Sequence, residues 1–299
     1  MSYLANSQGV LAILRHALEL PPLQFSDIKI FRQHLASGFQ RYSTVQNALY
    51  LGAQAATSGM AFLAGYQNAI RCLDVNCPSD ELAAFCVSEK GVKKPWDMAT
   101  RLSISDDGYL LDGKKGYVML LPGELDRMYV VAKNDKGQLG CLYVLANTAG
   151  ISTTDALAAP FVEDIPHSGV CFDKVKIPAD QVFDIDGHQQ ANKPFRYWED
   201  VHVALSMMGW MSRELLGRQQ SFDGLDDMVQ LICQLIEQYE EHPDYYCLES
   251  LLLLDKSHEI MDNYSQNLSE ESKSLWLKDR LLLQMGQKMR HLVRAKMVN

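Results

Sequence analysis

The chain switches twice between two spacings of its hydrophobic positions. Up to about residue 73 the apolar side chains recur at helical intervals. Leu11, Leu14, Ala17 and Leu18 share one face, and Pro21-Pro22 ends that segment, since proline lacks the donor a helix interior needs. The pattern predicts a second helix from near Ser26 and a third from about Ser43 to Cys72. Gly52, Gly59 and Gly65 weaken the third by propensity, which predicts that a neighbouring helix packs closely there. Residues 74–80 hold breakers and little apolar content and read as a linker.

Beyond residue 82 the period falls to that of strands. Short β-like runs occur at Ala83–Ser88, Tyr109–Leu111, Tyr117–Leu120, Met128–Ala132, Cys141–Leu145 and Val170–Phe172. Asp107-Gly108, Asp112-Gly113, Pro122-Gly123, Lys136-Gly137 and Ser168-Gly169 supply turns between them, the pattern of a small β barrel or sandwich. From about Pro194 helical spacing returns in 199–217, 225–239, 245–264 and 270–297, with breaks at Gly224 and His242-Pro243. The predicted class is α+β. An N-terminal helical domain (1–80) precedes a central antiparallel β barrel or sandwich (81–188) and a C-terminal helical bundle (189–299).

Composition narrows the function classes. Of 299 residues, 47% are hydrophobic and 22% charged, as in a globular protein. Lys+Arg 28 against Asp+Glu 37 gives −9, which argues against nucleic acid as partner but leaves room for one basic pocket. No apolar run approaches the roughly 20 residues of a membrane span, so no membrane insertion is expected. Seven cysteines without metal-ligand spacing, and no basic segment ahead of an apolar run at the N-terminus, predict reduced thiols, no metal and a cytoplasmic location.

Four phrases in the β segment follow one another in a known order. Phe85-Cys86-Val87-Ser88-Glu89-Lys90-Gly91 parallels aromatic-x-x-Thr-Glu-Pro-Gly. After Thr100, the stretch from Gly108 to Met119 parallels Gly-x-x-Leu-Asn-Gly-x-Lys-x-Trp-Ile-Thr. Leu125-Asp126 stands for an Ala-Asp turn, and Phe172-Asp173-Lys174-Val175-Lys176-Ile177-Pro178 for Phe-x-x-Val-x-Val-Pro. Over about 82–190 the chain thereby resembles the middle domain of the acyl-CoA dehydrogenases, as a shortened and divergent member.

The resemblance implies a flavoprotein that removes hydrogens from an acyl thioester, with FAD as cofactor. Ser88 keeps a hydroxyl where the family has Thr beside the flavin, and Tyr117 keeps an aromatic face where it has Trp or Phe. An ordinary strand-end serine and a buried core tyrosine are the plain alternatives. Met119 replaces a family Thr and removes one hydroxyl. The phosphate-binding turn becomes Gly91-Val92-Lys93-Lys94-Pro95, where Lys94 with Lys93 offers charge in place of a backbone nest, or is simply solvated. Arg218 belongs to an altered form of the Arg that holds the cofactor's far end.

The family's base is a glutamate, and the usual late Tyr-Glu-Gly loop is missing. Glu199, with Ala204 and Gly209 after it, matches the minority pattern that sets the base on the first C-terminal helix. Asp200 follows where the family has Arg and would raise its proton affinity. A preference of acidic residues for a helix's first turn is the alternative. As partners the resemblance implies an acyl-CoA or other acyl thioester, a second copy of the chain paired through the C-terminal helices, and an electron-transfer flavoprotein among the acceptors it allows. The competing expectation is a degenerate relative without redox chemistry that binds an acyl thioester or a protein.

Overall fold

The computed structural model describes residues 6–119, 123–157, 160–219 and 224–298. They form two compact units. One gathers residues 1–80, 160–164 and 196–299, and the other 81–159 and 165–195.

The first unit is helical. Its members are α1 (Ser7–Leu18), α2 (Ile28–Gly38), α3 (Thr44–Gly52), α4 (Ser58–Leu73), α5 (Lys193–Gln219, from Arg196 on), α6 (Asp226–Glu241), α7 (Leu248–Tyr264) and α8 (Glu270–Val298). The single helix expected over 43–72 is two helices. Thr57 has extended backbone angles, and its hydroxyl accepts from the Met60 N–H at 3.1 Å, so it starts α4 afresh. From Ser58 to Arg71 every side chain of α4 is buried, which makes it the unit's central helix.

Close packing explains the glycines. A Cβ on Gly52 would collide with the Ser206 carbonyl of α5, and one on Gly209 would sit 2.5 Å from the Leu49 carbonyl of α3. These two helices therefore touch backbone to backbone. Arg213 of α5 fastens the same corner by donating to the carbonyls of Ala17, Leu20 and Ala53, at or just past the C-terminal ends of α1 and α3.

The second unit holds eight strands: β1 (Ala83–Cys86), β2 (Arg101–Ser105), β3 (Gly108–Met119), β4 (Arg127–Asn134), β5 (Leu139–Leu145), β6 (Ile151–Ala156), β7 (His167–Ile177) and β8 (Val182–Phe183). They form one sheet in the order β6-β7-β3-β2-β4-β5-β8, with β1 on β4. The expected barrel is not found, because the sheet does not close: β6 and β8 end it unpaired with each other among the described residues. Nor is it wholly antiparallel. β1 and β2 both run parallel to β4 and share its one edge, β1 against Arg127–Val130 and β2 against Lys133–Asn134. Leu102, Leu111, Val118, Met128, Val130, Leu142, Val170 and Phe172 are among its buried core. β6 carries little apolar alternation, and β2 alternates only Leu102 and Ile104 with polar residues over five positions, so neither stood out in the pattern of the sequence.

Candidate functional site

In the sheet unit two of the expected cofactor residues, Ser88 and Tyr117, lie near the end of β1 and an irregularity in β3. The pairing of β3 with β7 slips between Lys115 and Val118, and Tyr117 lies in the slip with φ of 52°. That left-handed backbone is costly for a residue with a Cβ, by about 1–3 kcal/mol, and such strain gathers at functional sites. Its side chain is 67% exposed, so the buried core alternative does not hold. Ser88 is beside it: the Ser88 carbonyl accepts from the Gly116 N–H at 2.8 Å, and the Ser88 side chain is exposed. Met119, two residues on, is buried and offers no polar group.

Beneath this edge lies an ion pair the sequence reading missed. Lys115 is 2% exposed and donates to Glu89 at 2.9 Å and to the Val87 carbonyl at 3.2 Å. Glu89 also accepts from the N–H groups of Ala99 (2.6 Å) and Thr100 (3.1 Å), which closes the loop 89–100 on its own carboxylate. Burial works against the charge on Glu89, but the hydrogen bonds from Lys115, Ala99 and Thr100 outweigh it and hold the carboxyl below its ordinary range. Burial lowers the Lys115 ammonium. The signal was present, since Lys115 shares the inward parity of Leu111 along β3.

The stretch Gly91–Pro95, which the resemblance reads as a phosphate turn, presents exposed lysines. Beyond the Pro95–Asp97 turn the N–H groups of Ala99 and Thr100 are already taken by Glu89. Lys93 and Lys94 are exposed, and the Lys94 ammonium lies 5.9 Å from the centre of the Trp96 ring, itself 60% exposed. Arg218 stands in the last turn of α5, and its side chain lies outside the described residues.

In the helical unit, Glu199 lies on the wall of a cleft of about 180 Å³, beside Phe62, Arg196, Val203, Leu282 and Met285. It is nearly two turns into α5, which begins at Lys193 and has no acidic residue in its first turn. The helix-end explanation for Glu199 therefore fails. The carboxyl is half-buried and accepts no hydrogen bond among the described residues. Burial first, then the charge of Asp200, pushes it up to about 7, with Arg196 acting the other way. Asp200 is turned aside and held. Its Oδ2 accepts from the Tyr246 hydroxyl at 2.6 Å and from Arg290 of α8 at 2.9 Å.

Arg290 and Tyr246 had not been singled out from the sequence. The buried face of α8 runs Ser272, Trp276, Asp279, Leu283, Gly286, Arg290, alternating steps of four and three. It is the more polar face. The apolar one, with Leu277, Leu281, Met285, Met289 and Leu292, is exposed in this chain.

No family model matches the chain, and no curated protein does. Solved structures do match. Butyryl-CoA dehydrogenase from Megasphaera elsdenii superimposes with a TM-score of 0.73 at 13% identity, covering 98% of this chain and 97% of that one. An FAD-dependent dehydrogenase gives 0.74 at 17% identity, with 97% of each chain covered. The prolyl acyl carrier protein oxidase AnaB gives 0.74 at 14% identity over 98% and 99%. The chain therefore has an acyl-CoA dehydrogenase-like fold. Among the described residues no helix is long and apolar enough to cross a membrane.

Proposed function

We propose that the protein is an FAD-dependent oxidoreductase that introduces an α,β double bond into an acyl thioester. The observation that carries this reading is Glu199: a carboxylate that accepts no hydrogen bond among the described residues, on the wall of a cleft, with a proton affinity poised near neutrality. A general base needs those three properties together. Bound flavin would accept the hydride from the β-carbon. The chain's own share is to take the α-proton on the Glu199 carboxylate, while Arg196 beside it limits how far that carboxylate loses its charge.

The sheet unit fits a flavin ring at Ser88 and Tyr117. Ser88 offers an exposed hydroxyl, and Tyr117 an exposed aromatic face held out by a strained backbone. Lys93 and Lys94 would hold the phosphates by charge. The acyl carrier is coenzyme A or the pantetheine arm of a carrier protein, and a second copy of the chain covers the exposed apolar face of α8. An electron-transfer flavoprotein is the acceptor this reading favours.

A thioester-binding protein without redox chemistry is the second reading. One observation favours it: Met119, where the resemblance places a cofactor hydroxyl, is buried and offers no polar group. The absorption spectrum of purified protein after incubation with FAD and desalting separates the two. Flavin bands at about one per chain support the oxidoreductase. A colourless protein that still binds thioester establishes the second reading in its place.

A further inference from the structure

The cleft beside Glu199 is small and has a charged wall. Its volume of about 180 Å³ falls below the roughly 300–1,000 Å³ of pockets for drug-sized ligands. A water molecule occupies about 30 Å³ of the liquid, so the cleft takes about six groups of that size. Phe62 of α4 and Leu282 of α8 form apolar sides. On the side where α8 crosses α5, a Cβ on Gly286 would stand 2.6 Å from Arg290 Nη1 and 2.9 Å from Asp200 Oδ1. The two helices leave no slack there.

That side is closed by more than contact. Arg290 is 2% exposed, pairs with Asp200 at 2.9 Å, and donates to the Leu283 carbonyl at 2.9 Å. Tyr246 donates to the same Asp200 oxygen at 2.6 Å. An alkyl tail pushed past this wall would break the buried pair, leaving Asp200 with the Tyr246 hydroxyl and Arg290 with Asp255 at 4.0 Å, which costs more than the burial of a few methylenes favours.

We propose that the cleft admits only a short acyl group, of about four to six carbons, with the Asp200–Arg290 pair as its end stop. This rests on the reading of the cleft as the acyl site. It assigns Phe62, Leu282 and the Asp200–Arg290 pair as the residues that set chain length.

Titration calorimetry on the purified, FAD-treated full-length protein tests it, with unreactive S-alkyl pantetheine thioethers of two to twelve carbons. Affinity is expected to rise by about 4-fold per methylene up to four to six carbons. By ten carbons it should have fallen by about 10-fold or more, since overpacking is penalised. Leu282→Ala and Phe62→Ala should each move the optimum to longer chains. The double variant Asp200→Asn with Arg290→Met, which removes both charges at similar volume, should do so too. Either single variant suffices if the double variant does not fold. Affinity that keeps rising to ten carbons overturns the size limit and leaves the thioester reading standing. A short-chain optimum that none of the folded variants moves overturns the assignment of these residues. No binding at any length removes both the inference and the function it rests on.

Discussion

In the proposed reading Glu199 and Tyr117 carry most of the chemistry, and each has a distinct signature. For Glu199 the base must be ionised, so the rate of α-proton removal should climb with pH through about 7 and level off above it. Glu199→Gln should lower that rate by about 10²-fold or more while thioester affinity changes little. Stability moves the other way. A carboxyl whose folded proton affinity exceeds its unfolded one contributes stability below the ordinary carboxylate range, and loses it as pH rises toward about 7. Denaturant melts of wild type and Glu199→Gln between these limits should show the wild type losing stability relative to the variant as pH rises. Parallel curves would remove the raised affinity from the account. For Tyr117, glycine relieves the left-handed backbone and deletes the ring. Tyr117→Gly should leave stability unchanged or raise it by about 1 kcal/mol, while FAD affinity falls by about 10-fold. A drop in stability would mean that the exposed ring packs on something in solution.

At the scale of elements, the loop from the end of β1 to β2 depends on one carboxylate. Glu89 answers Lys115, Ala99 and Thr100 together. Glu89→Gln would leave the Lys115 ammonium buried without its counter-charge, and chemical denaturation should show a loss of about 3 kcal/mol. A loss under about 1 kcal/mol would show that the ammonium sheds its proton or finds water. Much of this level was legible in the sequence. The switch from helical to strand period and back appears in the fold, as do the glycines where α3 and α5 meet, and the phrase from Gly108 to Met119 lies on β3. What escaped were features with no hydrophobic signature. The break before Thr57 is made by a hydroxyl cap, β6 is polar, β2 has only two apolar residues, and the parallel pairing on β4 is a property of topology. The open sheet belongs with them, since alternation along a strand says nothing about whether a sheet closes.

For the molecule as a whole, one feature extends beyond a single chain. The exposed row Leu277, Leu281, Met285, Met289 and Leu292 spans four turns of α8, an unusual length of apolar surface to leave in water. A homodimer through this face is expected. Light scattering at micromolar concentration should give twice the chain mass, and Leu281→Glu with Met289→Glu should return it to one. A monomeric wild type would contradict the pairing. The central claim is that this fold performs redox chemistry on an acyl thioester, with Glu199 as the base. Anaerobic mixing of FAD-loaded protein with a four- to six-carbon acyl-CoA, followed by visible absorption, tests it most directly. The account predicts that the flavin band bleaches in the wild type and bleaches about 10²-fold more slowly in Glu199→Gln. A flavin that binds at one per chain and stays oxidised under every short thioester, or that bleaches equally fast in the variant, would contradict it.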